Sequence, residues 1–263
     1  MSADLVLVDW HGDVAVLTLN DPATLNAASQ PMVQRLLEVL DDLFESARCL
    51  VITGAGRAFC SGANLSSAGD CTAPGYDAGA QLDTHYNPLI QRLRTAPIPI
   101  VTAINGAAAG FGASLALAGD LSVAADTGYF LQAFRHIGLV PDGGSAFMLV
   151  HAAGRVRASE MMLLGNRIAA AQALEWGMIN RVVPAAQLLD AALGLAQDLA
   201  AGPTQALGLI RRLCWDAAER GFSEMLAQER MAQQEAGRTA DHREGIGAFL
   251  AKRKPAFGGN AAA

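Results

Sequence analysis

Hydrophobic positions along the chain follow two rhythms, short apolar runs in its first half and helical spacing in its last quarter. Leu5 to Trp10 and Val14 to Asn20 read as strands joined at His11-Gly12-Asp13, a hairpin signal. Asp21 to Ser29 is a polar bend. Beyond it Met32, Leu36, Val39, Leu40 and Leu43 fall on one face of a helix predicted over Pro31 to Ser46. Cys49 to Thr53 is a short buried strand ending in Gly54-Ala55-Gly56. Ser66 to Gly79 lacks any apolar period and reads as a loop over a site, and a helix follows from Ala80 to Arg94.

The segment from Pro97 to Asp120 organises the rest. Ile98 to Ile104 is apolar and β-branched, as in a fully buried strand. It runs through Asn105-Gly106 into a string of alanines and glycines, and then into a helix predicted over Gly112 to Ala118. Strand, glycine bend and helix thus occur at Leu50 and again at Ile98, which predicts a repeated layered unit in an α/β protein. Such a bend either presents free backbone N–H groups to a developing negative charge or merely lets a helix pack closely on a sheet. The segment alone leaves both readings open. Gly110-Phe111-Gly112 lacks the last small residue of a dinucleotide fingerprint, since Leu115 stands there, and no phosphate-loop Gly-Lys-Ser/Thr exists in the chain.

Downstream, Leu121 to Ala124 and Tyr129 to Leu131 are short strands. A second glycine-rich bend, Ile137 to Gly144, opens a helix that ends near Gly154. Further helical segments cover Arg157 to Leu164 and Ala170 to Trp176, and Ile179 to Val183 is the last strand. Helices are predicted over Ala185 to Ala201, Thr204 to Arg220, Ser223 to Gly237 and His242 to Ala251. The shift near Pro203 divides the expected organisation into a core of residues 1–202 and a helical region of residues 203–263.

Composition narrows the function. Hydrophobic residues make up 52% of the 263, much of that share alanine, which favours close helix packing. A net charge of −6 argues against general nucleic-acid binding, yet leaves room for one phosphorylated ligand held by local Arg or Lys. The most apolar window, Ile98 to Ala118, is broken by Asn105 and glycines, so no membrane span is expected. Met1 to Trp10 carries no secretory signal, and the four cysteines show neither metal-ligand nor CxxC spacing. Reduced thiols in the cytoplasm are the expectation.

Among residues that could do chemistry, Asp142 stands out: it follows Pro141 in a glycine bend with no basic neighbour in sequence. A partly desolvated carboxylate there could shuttle protons. Turn preferences alone favour the alternative, a helix N-cap. Cys60 reads as a buried thiol rather than a nucleophile, and Ser114 lies outside any Gly-x-Ser-x-Gly motif. His136 and His151 read as structural, His85 as able to reach a cleft, and no metal-site spacing occurs.

Phe59-Cys60-Ser61-Gly62-Ala63-Asn64-Leu65 followed by Asn105 to Gly112 resembles the enoyl-CoA hydratase/isomerase (crotonase) family. The resemblance continues through Gly165-Asn166-Arg167, Ala173 to Val182 and Phe249 to Arg253, nearly the whole chain. It implies a spiral of β-β-α units with a C-terminal helical region that builds homotrimers or dimers of trimers. It also implies an acyl-CoA thioester substrate and no cofactor, CoA being part of the substrate. By matching, the Ala63 and Phe111 N–H groups would hold the thioester oxygen as it becomes an enolate, with the Phe111 ring narrowing the acyl pocket. Leu25, Ala27, Arg57, Ser61, Asn64, Leu65, Gly112, Phe134 and Pro141 would line the CoA and acyl channel, and Phe249 and Lys252 would reach a neighbour's CoA.

Family hydratases use two glutamates, and the matching positions hold Ser114 and Phe134. Hydration needs one group to deprotonate water and another to protonate carbon, whereas one base suffices for isomerisation. Asp142 matches the aspartate of some family isomerases, and this match reverses the preference for a cap. Gly138 to Asp142, Leu164-Gly165-Asn166 and the C-terminal Glu244-Gly245 are similar to isomerases that act on ring 1,2-epoxyphenylacetyl-CoA in phenylacetate breakdown. The expectation is therefore an isomerase. Its rivals are a hydratase, a CoA-thioester dehalogenase or hydrolase with Asp142 as nucleophile, and a non-catalytic member.

Overall fold

A computed structural model describes residues 4–64 and 71–258. Leu65, predicted to line the channel, lies outside the described residues, as does the start of the predicted loop. From Cys71 that loop runs through turns.

The hairpin is β1 (Val6–His11) paired antiparallel with β2 (Val14–Leu19). A 3-10 turn over Pro22–Thr24 leads to α1 (Gln30–Ser46), whose first turn is capped by the Ser29 side chain accepting from the Met32 N–H at 3.4 Å. The chain then repeats one pattern. β3 (Cys49–Gly54) and β4 (Ala58–Cys60) precede a π-helical turn, Leu82–Tyr86, and α2 (Asn87–Arg94). β5 (Ile100–Ile104) and β6 (Ala107–Ala109) precede α3 (Phe111–Leu117). β7 (Leu121–Ala125) and β8 (Tyr129–Leu131) precede a 3-10 turn, Ala133–Ile137, and α4 (Ser145–Leu164), which Gly154 interrupts.

Each repeat sends its first strand to one sheet and its second to another. The larger sheet has the order β1-β2-β3-β5-β7-β10, with β10 (Arg181–Val183), and is parallel except for the hairpin. The smaller has the order β4-β6-β8-β9, with β9 (Arg167–Ala169) antiparallel at its edge. α5 (Ala170–Glu175) links β9 towards β10. The predicted repeated unit is therefore present three times. β4, β6 and β9 were absent from the sequence reading: β4 lies in a glycine-rich stretch read as a bend, and the β6 residues are all alanine.

The inner strands of the larger sheet, β2, β3, β5 and β7, are buried on both faces, which explains their near-continuous apolar runs. One face packs on the main core with α1, α2 and α3. The other packs on α6 (Leu188–Ala200) through Leu188, Ala192, Ala196 and Ala200, a four-residue spacing of mostly small side chains. Beyond α6 come α7 (Thr204–Ala217), α8 (Phe222–Ala236) and α9 (Ala240–Leu250). α7 is tied to the core by Arg211, which is 4% exposed. Its guanidinium pairs with Asp120 at 2.8 Å and donates to the carbonyl oxygens of Leu93, Arg94 and Ala96. Among the described residues no helix is long and apolar enough to cross a membrane.

Candidate active site

The C-terminal ends of β4, β6 and β8 open onto one cavity of about 420 Å³. Its wall brings together Ser61, Ala63, Asn64, Phe111, Phe134 and Asp142, all predicted from sequence. The geometry at the end of β4 follows from its pairing. Ala63 bridges Ala28 in the parallel sense, with the Ala28 N–H donating to the Gly62 carbonyl at 2.8 Å and the Asn64 N–H to the Ala28 carbonyl at 3.3 Å. In that register both backbone groups of Ala63 face away from Ala28. At the end of β6, Phe111 opens α3, where the first N–H of a helix has no intrahelical acceptor. Neither the Ala63 nor the Phe111 N–H has an acceptor among the described residues. The cavity wall thus carries two unpaired donors from neighbouring strands.

Close approach of α3 makes this possible. A Cβ on Gly112 would overlap the Cys60 carbonyl oxygen, so only glycine lets the helix start against β4. Gly112 is buried and serves the wall from behind rather than lining it. The Phe111 ring, 1% exposed, packs against Tyr86 at 4.5 Å between centroids with the rings tilted by 57°. Tyr86 in turn donates its hydroxyl to the Ala28 carbonyl at 2.7 Å, and burial, then the charge of Asp142, push its phenol up to about 12.

Asp142 is half-buried, and its Oδ1 is buried with no hydrogen-bond partner among the described residues. Burial raises its carboxyl pKa to about 6. The helix-cap reading fails: α4 is capped at Gly144 with no side-chain bond, and it is the Asp142 backbone carbonyl that accepts, from the Ser145 N–H at 3.0 Å and the Ser114 Oγ at 2.9 Å. Phe134, 8% exposed, presents hydrocarbon. Asp142 is the one carboxylate on the wall among the described residues.

Other predicted residues lie around the cavity rather than on it. Leu25 and Ala27 belong to a bend bonded to the strand end, with the Ser61 N–H donating to the Leu25 carbonyl at 3.0 Å; Arg57 is exposed in the turn before β4. Pro141 adjoins Asp142 without lining the cavity. Phe249 at the end of α9 is 80% exposed, and Lys252 beyond it is exposed with φ 53, so neither reaches the cavity of its own chain. Cys60 is buried and its thiol is pushed up to about 11, as expected of an inert cysteine. His85 bonds Thr84 off the wall.

Sequence reasoning missed three contributors. His136, read as structural, lines the cavity, with its Nε2 at 3.0 Å from the Gly165 carbonyl. Tyr86 gave no sequence signal because its role depends on packing against Phe111. Asn26, buried with φ 56, donates to the Ala55 and Ala58 carbonyls and accepts from the Asp21 N–H, fastening the bend to β4. An asparagine inside an otherwise polar bend was its only signal. No three-residue metal-binding group occurs among the described residues.

The chain as a whole is similar to known proteins. The family model "Enoyl-CoA hydratase/isomerase" matches residues 9–260. The chain is 46% identical to the 1,2-epoxyphenylacetyl-CoA isomerase of Escherichia coli over 97% of its length and 99% of that protein's. It is 34% identical to the 2,3-dehydroadipyl-CoA hydratase of the same organism over 97% and 98%. The crystal structure of an enoyl-CoA hydratase from Polaromonas superposes with a TM-score of 0.89 at 35% identity, covering 96% of this chain and 99% of that one. Matched over nearly its whole length, with the same spiral of strands and helices, the chain belongs to the enoyl-CoA hydratase/isomerase (crotonase) family.

Proposed function

We propose that the chain is an acyl-CoA isomerase that shifts a double bond or rearranges a ring in an enoyl-type thioester. The observation that carries this reading is Asp142, the single carboxylate on the wall among the described residues, with one oxygen desolvated and its pKa raised by burial to about 6. Such a group is ionised at neutral pH, yet is basic enough to accept a proton and acidic enough to return it. The Ala63 and Phe111 N–H groups receive the thioester oxygen. Asp142 removes a proton from C2 of a 3-enoyl-CoA, and the electron pair moves through C1 onto that oxygen as an enolate, stabilised by the two donors. The same carboxyl then protonates C4 as the pair flows back and the double bond settles between C2 and C3. One base on one face completes the cycle with no cofactor.

The aromatic faces of Phe111, Phe134 and Tyr86 suit a flat or cyclic acyl group, in keeping with the relative named for 1,2-epoxyphenylacetyl-CoA. Leu25, Ala27, Arg57, Ser61 and Asn64 mark the route of the CoA chain. α7 to α9 assemble a homotrimer or a dimer of trimers around the exposed Phe222, Phe249 and Leu250, so that Phe249 and Lys252 reach a neighbour's CoA. Hydration is the second reading, favoured by His136 on the same wall and by relatives named hydratases.

The test offers 3-hexenoyl-CoA and 1,2-epoxyphenylacetyl-CoA in D2O, with absorbance and mass followed for wild type and Asp142→Asn. The expected result is isomerised product from wild type, its deuterium content reporting how far the Asp142 proton exchanges with solvent before it is returned, and no product from an Asn variant that still binds. A dominant hydrated product, or equal rates in the two proteins, rejects the proposal.

A further inference from the structure

Ser114 is the one polar side chain in α3, and it is fully buried. A buried hydroxyl costs free energy unless it is bonded. Its partner is the Asp142 carbonyl oxygen, 2.9 Å away and 28 residues along the chain. Among the described residues this is the one hydrogen bond between α3 and the corner over Pro141 to Gly144.

That corner needs a tether. Gly143 and Gly144 both have left-handed backbone, φ 55 and 74, and Val140 just before it is 78% exposed. Consecutive glycines restrain a chain weakly. Gly143 is pressed against α3: a Cβ there would lie 2.8 Å from the Ser114 Cβ and 3.0 Å from the Phe111 ring. Phe111 and Ser114 are three residues apart and share a face of α3. One helical turn therefore carries both a donor N–H of the cavity and the hydroxyl that holds the carboxylate's own backbone.

We propose that Ser114 is a positioning residue, which sets the placement of the Asp142 carboxyl group relative to the Phe111 N–H through its bond to the Asp142 carbonyl oxygen. It does not line the cavity, so it acts through Asp142 and not on substrate. The proposal rests on the reading of Asp142 as the proton-transfer group and deepens it.

The experiment compares Ser114→Ala, Ser114→Thr and Asp142→Asn with wild type on the better of the two substrates above, measuring kcat, KM and the thermal midpoint. Displacements of a few tenths of an ångström lower a rate without weakening binding, so Ser114→Ala is expected to lose about tenfold in kcat with KM within about twofold. Ser114→Thr, which keeps the hydroxyl, is expected to recover kcat to within about threefold of wild type. An alanine variant at wild-type kcat overturns the proposal, as does a loss carried by KM, or a folded threonine variant as slow as alanine. Should the alanine variant fail to fold, Ser114→Cys keeps the volume and weakens the donor: an intermediate kcat supports the proposal and a wild-type kcat overturns it. Asp142→Asn separates the two levels. If it is inactive while Ser114→Ala is fully active, only the positioning role falls; if it keeps the wild-type rate, the proton-transfer reading itself falls.

Discussion

Replacing Asp142 by asparagine should stabilise the folded protein above pH 6, because the carboxylate sits where water cannot fully reach it. Its pKa moves from 3.8 for an ordinary aspartate to about 6 in the fold. A native state that holds its proton more tightly than the unfolded chain is stabilised in full below the unfolded pKa, and loses that contribution as pH rises through the native one. The shift of about 2 units corresponds to about 3 kcal/mol, complete by pH 8. Linkage places roughly 1.4 kcal/mol of it between pH 5 and 8, a window in which few other carboxylates titrate. Asparagine matches the shape and carries no charge. The assay is urea unfolding of both proteins at one protomer concentration, since association would otherwise shift the midpoint. The stability difference, Asn minus Asp, should grow by about 1.4 kcal/mol from pH 5 to pH 8. A difference that stays flat, or one that favours the aspartate at pH 8, would show a well-solvated or paired carboxylate. The proton-transfer argument would then lose its physical basis.

The same carboxyl must be ionised to act as a base, so kcat/KM should rise with pH through about 6 and be lost below it, as read from initial rates between pH 4.5 and 8. Gly143→Ala forces a Cβ to 2.8 Å from Ser114 and places it at φ 55; kcat should fall about a hundredfold with substrate binding kept, as measured by titration. Arg211→Leu leaves the Asp120 carboxylate and the carbonyls of Leu93, Arg94 and Ala96 without their partner. Its cost should be about 3–5 kcal/mol in urea unfolding, and a loss under 1 kcal/mol would mean that α7 is held by apolar packing instead.

Legibility in the sequence tracked how far a residue's role is local. The strands of the larger sheet and α1 were readable because Val16, Val51 or Leu36 need only a period and a buried face. From its residues alone Asp142 was legible as a proton shuttle or, with more weight, as a helix cap, and the resemblance tipped that balance towards the proton shuttle. Pro-Asp-Gly is an ordinary turn, and only the fold shows that the backbone carbonyl, not the carboxylate, accepts the local hydrogen bonds. His136 misled for the converse reason: its apolar neighbours Ile137 and Leu139 suggested a core, yet they line the same cavity with it. The roles proposed for Ala63 and Phe111 use backbone N–H groups, which leave no trace in residue type, and resemblance alone pointed to them.

The three repeats explain why the site is scattered over 80 residues and still compact. In each, a strand of the smaller sheet ends at the cavity: β4 at Ser61 to Asn64, β6 at Gly110 and Phe111, β8 at the turn carrying Phe134 and His136. β4 and β6, and β6 and β8, are parallel neighbours, so their carboxyl ends lie side by side at one strand spacing, about 4.8 Å. Two backbone donors a strand apart are then a consequence of the repeat. The proposed base is different. It comes from the glycine corner after β8, where no ladder fixes the chain, and a packed helix must do that instead. Donor spacing is therefore inherited from the sheet, whereas base placement depends on Ser114 and Gly143. Substitutions at those two positions should therefore lower kcat more than a side-chain change at Ala63, whose N–H group stays in place.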